Sequence, residues 1–538
     1  MNVLWIMADQ LRWDYLSCYG AKHIDTPNID AIAQRGVKFN RTYVQSPICG
    51  PSRMSFYTGR YVRSHGATWN GFPLRVGEPT LGDHLREHGV KCSLVGKTHM
   101  IPDEEGMQRL GIEPESTIGA LVSQCGFDEF VRDDGTNPTT YPGRCGEDYD
   151  QYLRDHGMDG DNPWEEWANT AVGPDGVFRS GWLLENAPYA ARVPKEHSET
   201  AWLTTRGIEY MEQQGDQPWL CHLSYIKPHW PYLVPAPYND IYTASDLPPV
   251  NRSQNERDTD HPLMQAWMSM RVSKNFSRDD VRNIVAPVYM GLIKELDDQM
   301  GRLFDYLKSS GRLDDTMVVF CSDHGDNMGD HWMGEKDLFH DCSARVPLIV
   351  YDPRETADAT RGTTSDELVE GIDLTPTFID FFGAKPKNHI LEGRSLVPLL
   401  NDQKTPWRSY CVSEYDYSTR EARKIVNVDQ NDARLVMVFD GRWKYIYVET
   451  MRSMLFDLQN DPDELIDVGA NPDYAQQLAT MREMHFAWTR QHHSRITRSA
   501  ETIENMTDDG EPQGILIGYV DEEELLANGY KLPPHLNV

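Results

Sequence analysis

The chain is short of positive charge: against 83 Asp and Glu it carries 52 Lys and Arg, a net charge of -31 over 538 residues. Such a surface repels a polyanionic duplex or an anionic bilayer, so neither a nucleic acid nor a membrane is expected as a partner. A small anionic substrate remains compatible, because a local cationic pocket can oppose the global sign. Paired cysteines are also lacking. The nine Cys, at positions 18, 49, 92, 125, 145, 221, 321, 342 and 411, show no short paired spacing, which leaves no zinc or disulfide framework. Cys221 and Cys321 lie in apolar, strand-like runs, where a free thiol behaves as a small hydrophobe. There is no apolar run of membrane-spanning length, no internal repeat and no low-complexity tract. The first strand-like run begins almost at Met1, which leaves no room for a signal peptide and makes a cytoplasmic location the expectation.

What is present describes a large, well-packed protein: 39% hydrophobic residues and 14 Trp exclude a disordered chain, and the length exceeds one ordinary core. Val3 to Ala8, Ser93 to Val95, Trp219 to Ile226, Met317 to Cys321 and Pro347 to Tyr351 read as buried strands. Helix signals alternate with them. Thr26-Pro27 opens one segment that stops at Gly36, Thr80 opens another that stops at Gly89, and Leu292, Leu296, Leu303 and Leu307 mark a long amphipathic helix. The alternation predicts an α/β fold with a doubly wound sheet, whose sites lie at the carboxyl ends of the strands. We assign residues 1–400 to a catalytic α/β region with a lid-like insertion at about 101–215, which is rich in Gly, Pro, Asp and Trp and has little periodicity. Residues 401–495 read as a smaller α+β region, with a hairpin from Arg434 to Val448 and a helix near 472–490. Residues 496–538 form a tail whose Ile515-Leu516-Ile517-Gly518-Tyr519-Val520 stretch suits docking on a neighbouring domain or subunit, and a homo-oligomer, dimer or tetramer, is expected.

The most informative residues are Cys49-Gly50-Pro51-Ser52-Arg53. Pro51 suits the first turn of a helix, so Cys49 is placed just ahead of a helix N-terminus with Arg53 one turn further on, and the two side chains face one anion together. By itself the pattern also suits an inert Cys at a helix cap. Asp9, and Asp323 with His324, each follow an apolar strand. Two carboxylates and an imidazole converging at strand ends make a divalent-metal site, although each alone also suits a strand-end cap.

Together these residues resemble, in order and spacing from about Val3 to Asp467, the alkaline phosphatase superfamily, and within it the sulfatases and phosphonate monoester hydrolases. The resemblance implies an alkaline-phosphatase-like mixed sheet with a C-terminal antiparallel sheet and helix. It also implies that Cys49 is converted to formylglycine by a formylglycine-generating enzyme, and that Asp9, Gln10, Asp323, His324 and the modified Cys49 hold one divalent metal ion. Arg53 is implied to anchor the formylglycine, Lys97 and His99 to flank it, His229 to face the leaving group and Lys336 to bind sulfate. Asn70, after Trp69, is a candidate substrate contact or a plain turn residue before Gly71.

Two departures bear on specificity. Many sulfatases carry Asp-Asp where this chain has Asp9-Gln10, and Asn where it has His324. An imidazole ligand weakens the preference for Ca²⁺ and leans toward Mn²⁺. The Asp-Gln and Asp-His pairs resemble phosphonate monoester hydrolases and choline-sulfatase-like enzymes, whereas Lys97 and His99 are of the sulfatase type. The expectation is an arylsulfatase-type hydrolase of small sulfate esters, with promiscuity toward phosphonate monoesters and phosphodiesters. The alternative is a phosphonate monoester hydrolase or phosphodiesterase, or a choline-sulfatase-like enzyme, on the same scaffold. A catalytically silent anion- or metal-binding protein is disfavoured, because nucleophile, metal set and flanking bases occur together.

Overall fold

The computed structural model describes residues 1–135, 147–491, 497–506 and 520–529. Cys145 and the tail residues Ile515 to Tyr519 lie outside the described residues. The chain begins with β1 (Asn2–Asp9), helix α1 (Pro27–Ala33), β2 (Val37–Tyr43), helix α2 (Cys49–Thr58), β3 (Lys91–Gly96) and β4 (Asp128–Arg132). A small sheet follows, of β5 (Thr170–Val172), β6 (Phe178–Ser180) and β7 (Ala190–Ala191). Next come β8 (Trp219–Pro228), β9 (Thr316–Ser322), β10 (Arg345–Tyr351) and β11 (Thr363–Glu370). The last strands are β12 (Cys411–Asp416), β13 (Arg434–Phe439), β14 (Trp443–Val448) and β15 (Met454–Asp457), an antiparallel sheet of four.

The main sheet has eight strands in the order β11-β2-β10-β9-β1-β8-β3-β4. β1 runs parallel to both neighbours, β8 and β9, and β3 runs parallel to β8. β10 is antiparallel to β9 and to β2, so β2 again points the same way as β1. β4 is parallel to β3 and β11 to β2, so every strand but β10 delivers its carboxyl end to one edge, where an α/β sheet carries its sites. β1 is central and buried on both faces. Val3, Trp5 and Met7 join one apolar cluster with Phe56, Leu94 and Val319, while Leu4, Ile6 and Ala8 join the other with Leu292, Leu296 and Ile349. That alternation is why a continuous apolar run forms this strand. Truncating Trp5 to Ala is expected to cost roughly 3–5 kcal/mol.

The predicted mixed α/β architecture is the one observed, with the long helix extending over Asp279–Ser309 and burying Leu292, Leu296, Leu303 and Leu307. Three strands of the main sheet, β2, β4 and β11, gave no sequence signal. β2 presents Lys38, Asn40 and Arg41 partly to solvent, and β11, the edge strand, exposes Thr363, Thr364, Asp366 and Glu367, so neither reads as an apolar run. Within 101–215 the chain returns once to the main sheet, as β4 at its far edge. Met1–Pro386 and Leu391–Gln491 form one compact unit, and Lys387–Ile390 with His492–Val538 a second, in which the described tail contains the helices Ala500–Met506 and Glu522–Ala527.

Candidate active site

Most functional side chains are delivered by a strand end or by α2, and Lys336 by the loop between β9 and β10. Asp9 closes β1, Lys97 follows β3, His229 follows β8 and Asp323 follows β9. Gly96 lets β3 turn there: it has φ of +104°, and a Cβ would lie 2.0 Å from the carbonyl oxygen of Ser224. α2 follows β2 and begins at Cys49, with extended Ile48 as its cap residue and Pro51 in the first turn. Ser52 Oγ donates to the carbonyl of Asp323 at 2.6 Å, which ties the start of the helix to the end of β9. The Asn70 side chain accepts from the Gly50 amide at 2.7 Å, and a Cβ on Gly50 would meet that oxygen at 2.8 Å. Glycine beside Cys49 thus admits Asn70 to the helix start.

Cys49 is fully buried, with Sγ 3.0 Å from His324 Nε2, 3.1 Å from Lys336 Nζ and 3.7 Å from Asp9 Oδ1. Lys336 Nζ also donates to Gln10 Oε1 at 3.1 Å and to His229 Nε2 at 2.9 Å. Lys97 Nζ pairs with Asp9 Oδ2 at 2.7 Å. The Arg53 guanidinium reaches Asp323 Oδ2 at 2.8 Å and Asp9 Oδ2 at 3.1 Å, and donates to Ser224 Oγ and to the Lys97 carbonyl. Arg53 thereby fixes both carboxylates, and among the described residues no hydrogen bond joins it to Cys49. His99 stands apart. It is half-buried at φ +56°, its amide is held by Asp134 at 3.0 Å, and its Nδ1 is buried without a hydrogen-bond partner among the described residues.

The cluster reshapes its own acid–base chemistry. Burial alone drives a thiol up, as it does for Cys92, Cys125, Cys221, Cys321, Cys342 and Cys411. At Cys49 the same burial is outweighed by Lys336, His324 and Lys97, which pull the thiol well below its ordinary value. An anionic group is therefore favoured at position 49, at the start of a helix. Burial and Cys49 press Asp9 upward, but Lys97, His229 and Arg53 prevail and hold it below the usual carboxylate range. Asp323 is pushed up by burial and by Asp9, with His324 and Arg53 compensating only in part. His229 is lowered to about 3 by burial and by Lys336. His324 is raised to about 9, the downward pull of burial being overcome by Asp323 and Cys49.

The tautomers follow from their partners, because a carbonyl can only accept. His229 Nδ1 donates to the Trp230 carbonyl at 2.7 Å, which leaves Nε2 to accept from Lys336. His324 Nδ1 donates to the Gly325 carbonyl at 2.8 Å, which leaves Nε2 aimed at Cys49 and the carboxylates. Ligand atoms of Asp9, Cys49, Asp323 and His324 all lie within 4.8 Å of one another, and all four residues are buried. Two carboxylates, an imidazole held by a backbone carbonyl and the side chain at position 49 fit one divalent ion. Gln10 sits beside this set at φ +65°, its amide nitrogen held by Asp326 and Tyr232, so that its Oε1 faces Lys336.

Several contributors were not singled out from the sequence. Asp326 and Tyr232 orient Gln10, Ser224 holds Arg53, and Asp134 receives the amides of Thr98 and His99. The Lys336 loop has a brace of its own. Glu335, Asp337 and Leu338 all have positive φ, a conformation that costs a non-Gly residue of order 1–3 kcal/mol. Tyr415 Oη and Arg420 each donate to Asp337 at 2.7 Å, and Lys444 donates to the Phe339 carbonyl at 2.9 Å. The four-stranded sheet and its neighbouring segments thus clamp the strained loop that presents Lys336. Only Asp326 lies beside a group singled out from the sequence, three residues past Asp323 at the end of β9.

Residues 1–384 match the sulfatase family, and residues 329–491 match the C-terminal part of the N-sulphoglucosamine sulphohydrolase family. The chain is 29% identical over 517 residues to the multifunctional alkaline phosphatase superfamily protein PehA of Trinickia caryophylli, covering 92% of this chain and 96% of that protein. It is 27% identical to an arylsulfatase of Clostridium perfringens, with coverage of 90% and 93%. The structure of a phosphonate monoester hydrolase of Agrobacterium radiobacter superposes with a TM-score of 0.79 at 30% identity, covering 91% of this chain and 96% of that one.

Proposed function

The chain belongs to the sulfatase family, and from that premise we propose that it hydrolyses small sulfate monoesters, aryl sulfates above all, with Cys49 converted to formylglycine and one divalent ion, Mn²⁺ or Ca²⁺, in the buried site. The observation that carries this reading is the surrounding of Cys49: two carboxylates and an imidazole of metal-ligand type on one side, Lys336 and Lys97 on the other. Asp9, Gln10, Asp323, His324 and the residue at 49 would hold the ion, which supplies positive charge for oxygens that become more negative in the transition state. A formylglycine at position 49 supplies a hydrated aldehyde, a nucleophile that ordinary Cys or Ser does not offer.

The remaining work falls to residues whose positions are fixed. Lys336, clamped through Asp337, places its ammonium against the nucleophile position, where it grips a nonbridging sulfate oxygen. Lys97 adds a second cation, held by Asp9. Arg53 keeps both carboxylates oriented. Lys336 donates to His229 Nε2, and the pair stands on the side assigned to the departing oxygen, whose developing charge the Lys336 ammonium stabilises. His99, with a free buried Nδ1, is the candidate base for the step that restores the nucleophile. Maturation would require a formylglycine-generating enzyme, and we place the protein in the cytoplasm as a homo-oligomer. Among the described residues no helix is long and apolar enough to cross a membrane.

Gln10 and His324 favour a second reading, a phosphonate monoester hydrolase or phosphodiesterase, which the similarity to the Agrobacterium enzyme also supports. Comparison of kcat/KM for 4-nitrophenyl sulfate, a phenylphosphonate monoester and a phosphodiester separates them. Higher efficiency on the sulfate supports the first reading, and higher efficiency on the phosphonate replaces it with the second.

A further inference from the structure

Beside His229 the structure carries a line of indole rings. Trp230 lies 4.5 Å from the His229 ring, Trp182 lies 5.9 Å from Trp230 at 60° between planes, and Trp164 lies 5.9 Å from Trp182. The line begins at the residue assigned to the leaving group and runs to the surface, where Trp182 is 45% exposed. Trp182 comes from the segment after β6, within the insertion, and its indole is fastened: Nε1 donates to both carboxylate oxygens of Glu165 at 3.0 Å. Trp164 beneath it is buried and donates to Glu199 at 2.9 Å. Trp230 Nε1 has no hydrogen-bond partner among the described residues, so packing between rings determines its orientation.

A half-exposed, fastened indole set at 60° to a second indole forms an aromatic corner, and apolar rings pack in such corners in stacked and edge-on contacts. Such a corner also accepts organic cations. Here the inner side is lined by cations instead: Lys336 bonds His229, and Lys227 donates to the carbonyls of His229 and Pro231, which flank Trp230. Among the described residues two carboxylates bond these rings, Glu165 to Trp182 and Glu199 to Trp164, and each is occupied by an indole N–H. The balance disfavours a quaternary ammonium and favours an uncharged ring.

We propose that Trp230 and Trp182 form the subsite for the alcohol half of the substrate and select esters whose leaving group is a flat aromatic ring attached directly to the ester oxygen. The inference rests on the reading of His229 as the residue that faces the leaving oxygen. In an aryl ester the ring begins at that oxygen, which brings it against Trp230 first. A larger or extended ring system then reaches Trp182.

The test uses non-hydrolysable sulfonates, so that it does not depend on turnover. Calorimetry with benzenesulfonate, naphthalene-2-sulfonate and methanesulfonate is run on the full-length protein, on Trp230→Ala, Trp182→Ala and Trp230→Phe, with oligomeric state checked by size exclusion. The wild-type protein should prefer the aryl probes over methanesulfonate by roughly three- to tenfold or more, the span expected of aromatic contacts. Trp230→Ala should bring that ratio close to one, Trp182→Ala should reduce it mainly for the naphthyl probe, and Trp230→Phe should keep most of it. A wild-type ratio near one, a ratio unchanged in both alanine variants, or a choline sulfate efficiency exceeding that of aryl sulfates overturns the proposal. So does a change of oligomeric state that weakens all three probes equally, which would make the rings an interface. If sulfate esters are bound with the aryl preference but only phosphonate esters are turned over, the subsite stands and the sulfatase reading falls.

Discussion

Lys336 Nζ lies 2.9 Å from His229 Nε2, and the same ammonium lies 3.1 Å from Cys49 Sγ. One cation therefore touches both Cys49 and the imidazole that the proposed function sets toward the leaving group, so it spans the attacking and the departing sides of the proposed reaction. Lys336→Met keeps the stem and removes the charge. Its kcat should fall by roughly a hundredfold or more, the cost of losing a preorganised transition-state contact. His229→Ala should fall comparably, and the double variant by much less than the product of the two, because the pair acts as a unit. Steady-state kinetics on an aryl sulfate checks this, and full additivity would separate the two roles.

Arg420 provides a test of the clamp. It holds Asp337, the neighbour of Lys336, but touches neither the metal set nor Cys49. Arg420→Ala should lower kcat by about tenfold, since small displacements of a catalytic group are costly. The melting temperature should fall as well, because Asp337 is buried and keeps only Tyr415 as a side-chain partner, so kcat is compared in the folded fraction. A large stability loss with unchanged kcat in the folded fraction would make Arg420 structural only.

How much of this could be read from the chain depended on how local the causes were. Strands β1, β8 and β9 are buried on both faces, so their apolar runs announce them, and the residue just past each run is placed at the active edge by topology alone. The spacing of Cys49 and Arg53 works the same way, because a helix sets both on one face. β2, β4 and β11 were illegible: their partly polar faces carry no run. The brace of Asp337 by Tyr415 and Arg420, and the corner of Trp182 and Trp230, join residues far apart in sequence, so only the folded chain brings them together. His99 shows the converse: its neighbour Lys97 pairs with Asp9 in the cluster, whereas the His99 ring makes no hydrogen bond to the cluster among the described residues.

A buried carboxyl behind the site sets a pH dependence of stability. Glu295 is raised from 4.5 to about 7, chiefly by burial, with Ser198 and Lys227 opposing. Between those pH values the folded protein binds more protons than the unfolded chain, so stability is fully present below about 4.5 and is lost as pH rises through about 7. The fall from this one group amounts to about 3 kcal/mol at most. Glu295→Gln should flatten that part of the stability curve. Urea denaturation of both proteins at pH 5 and pH 8 measures the difference, and parallel curves would refute the assignment.

The metal set predicts a stoichiometry. Elemental analysis of protein purified without chelator should find about one divalent ion per chain, and Asp323→Ala or Asp9→Ala should lose most of it. Full metal content in both variants would move the ion elsewhere. Reloading of chelated wild-type protein should restore activity, with Mn²⁺ favoured if His324 is a ligand.

The central claim is that Cys49 is the precursor of the nucleophile, and peptide mass spectrometry of active enzyme tests it most directly. In protein produced with a formylglycine-generating enzyme, the peptide containing Cys49-Gly50-Pro51-Ser52-Arg53 should carry an aldehyde in place of the thiol, and the converted fraction should rise in proportion to kcat across preparations. An intact thiol in fully active enzyme would contradict the account.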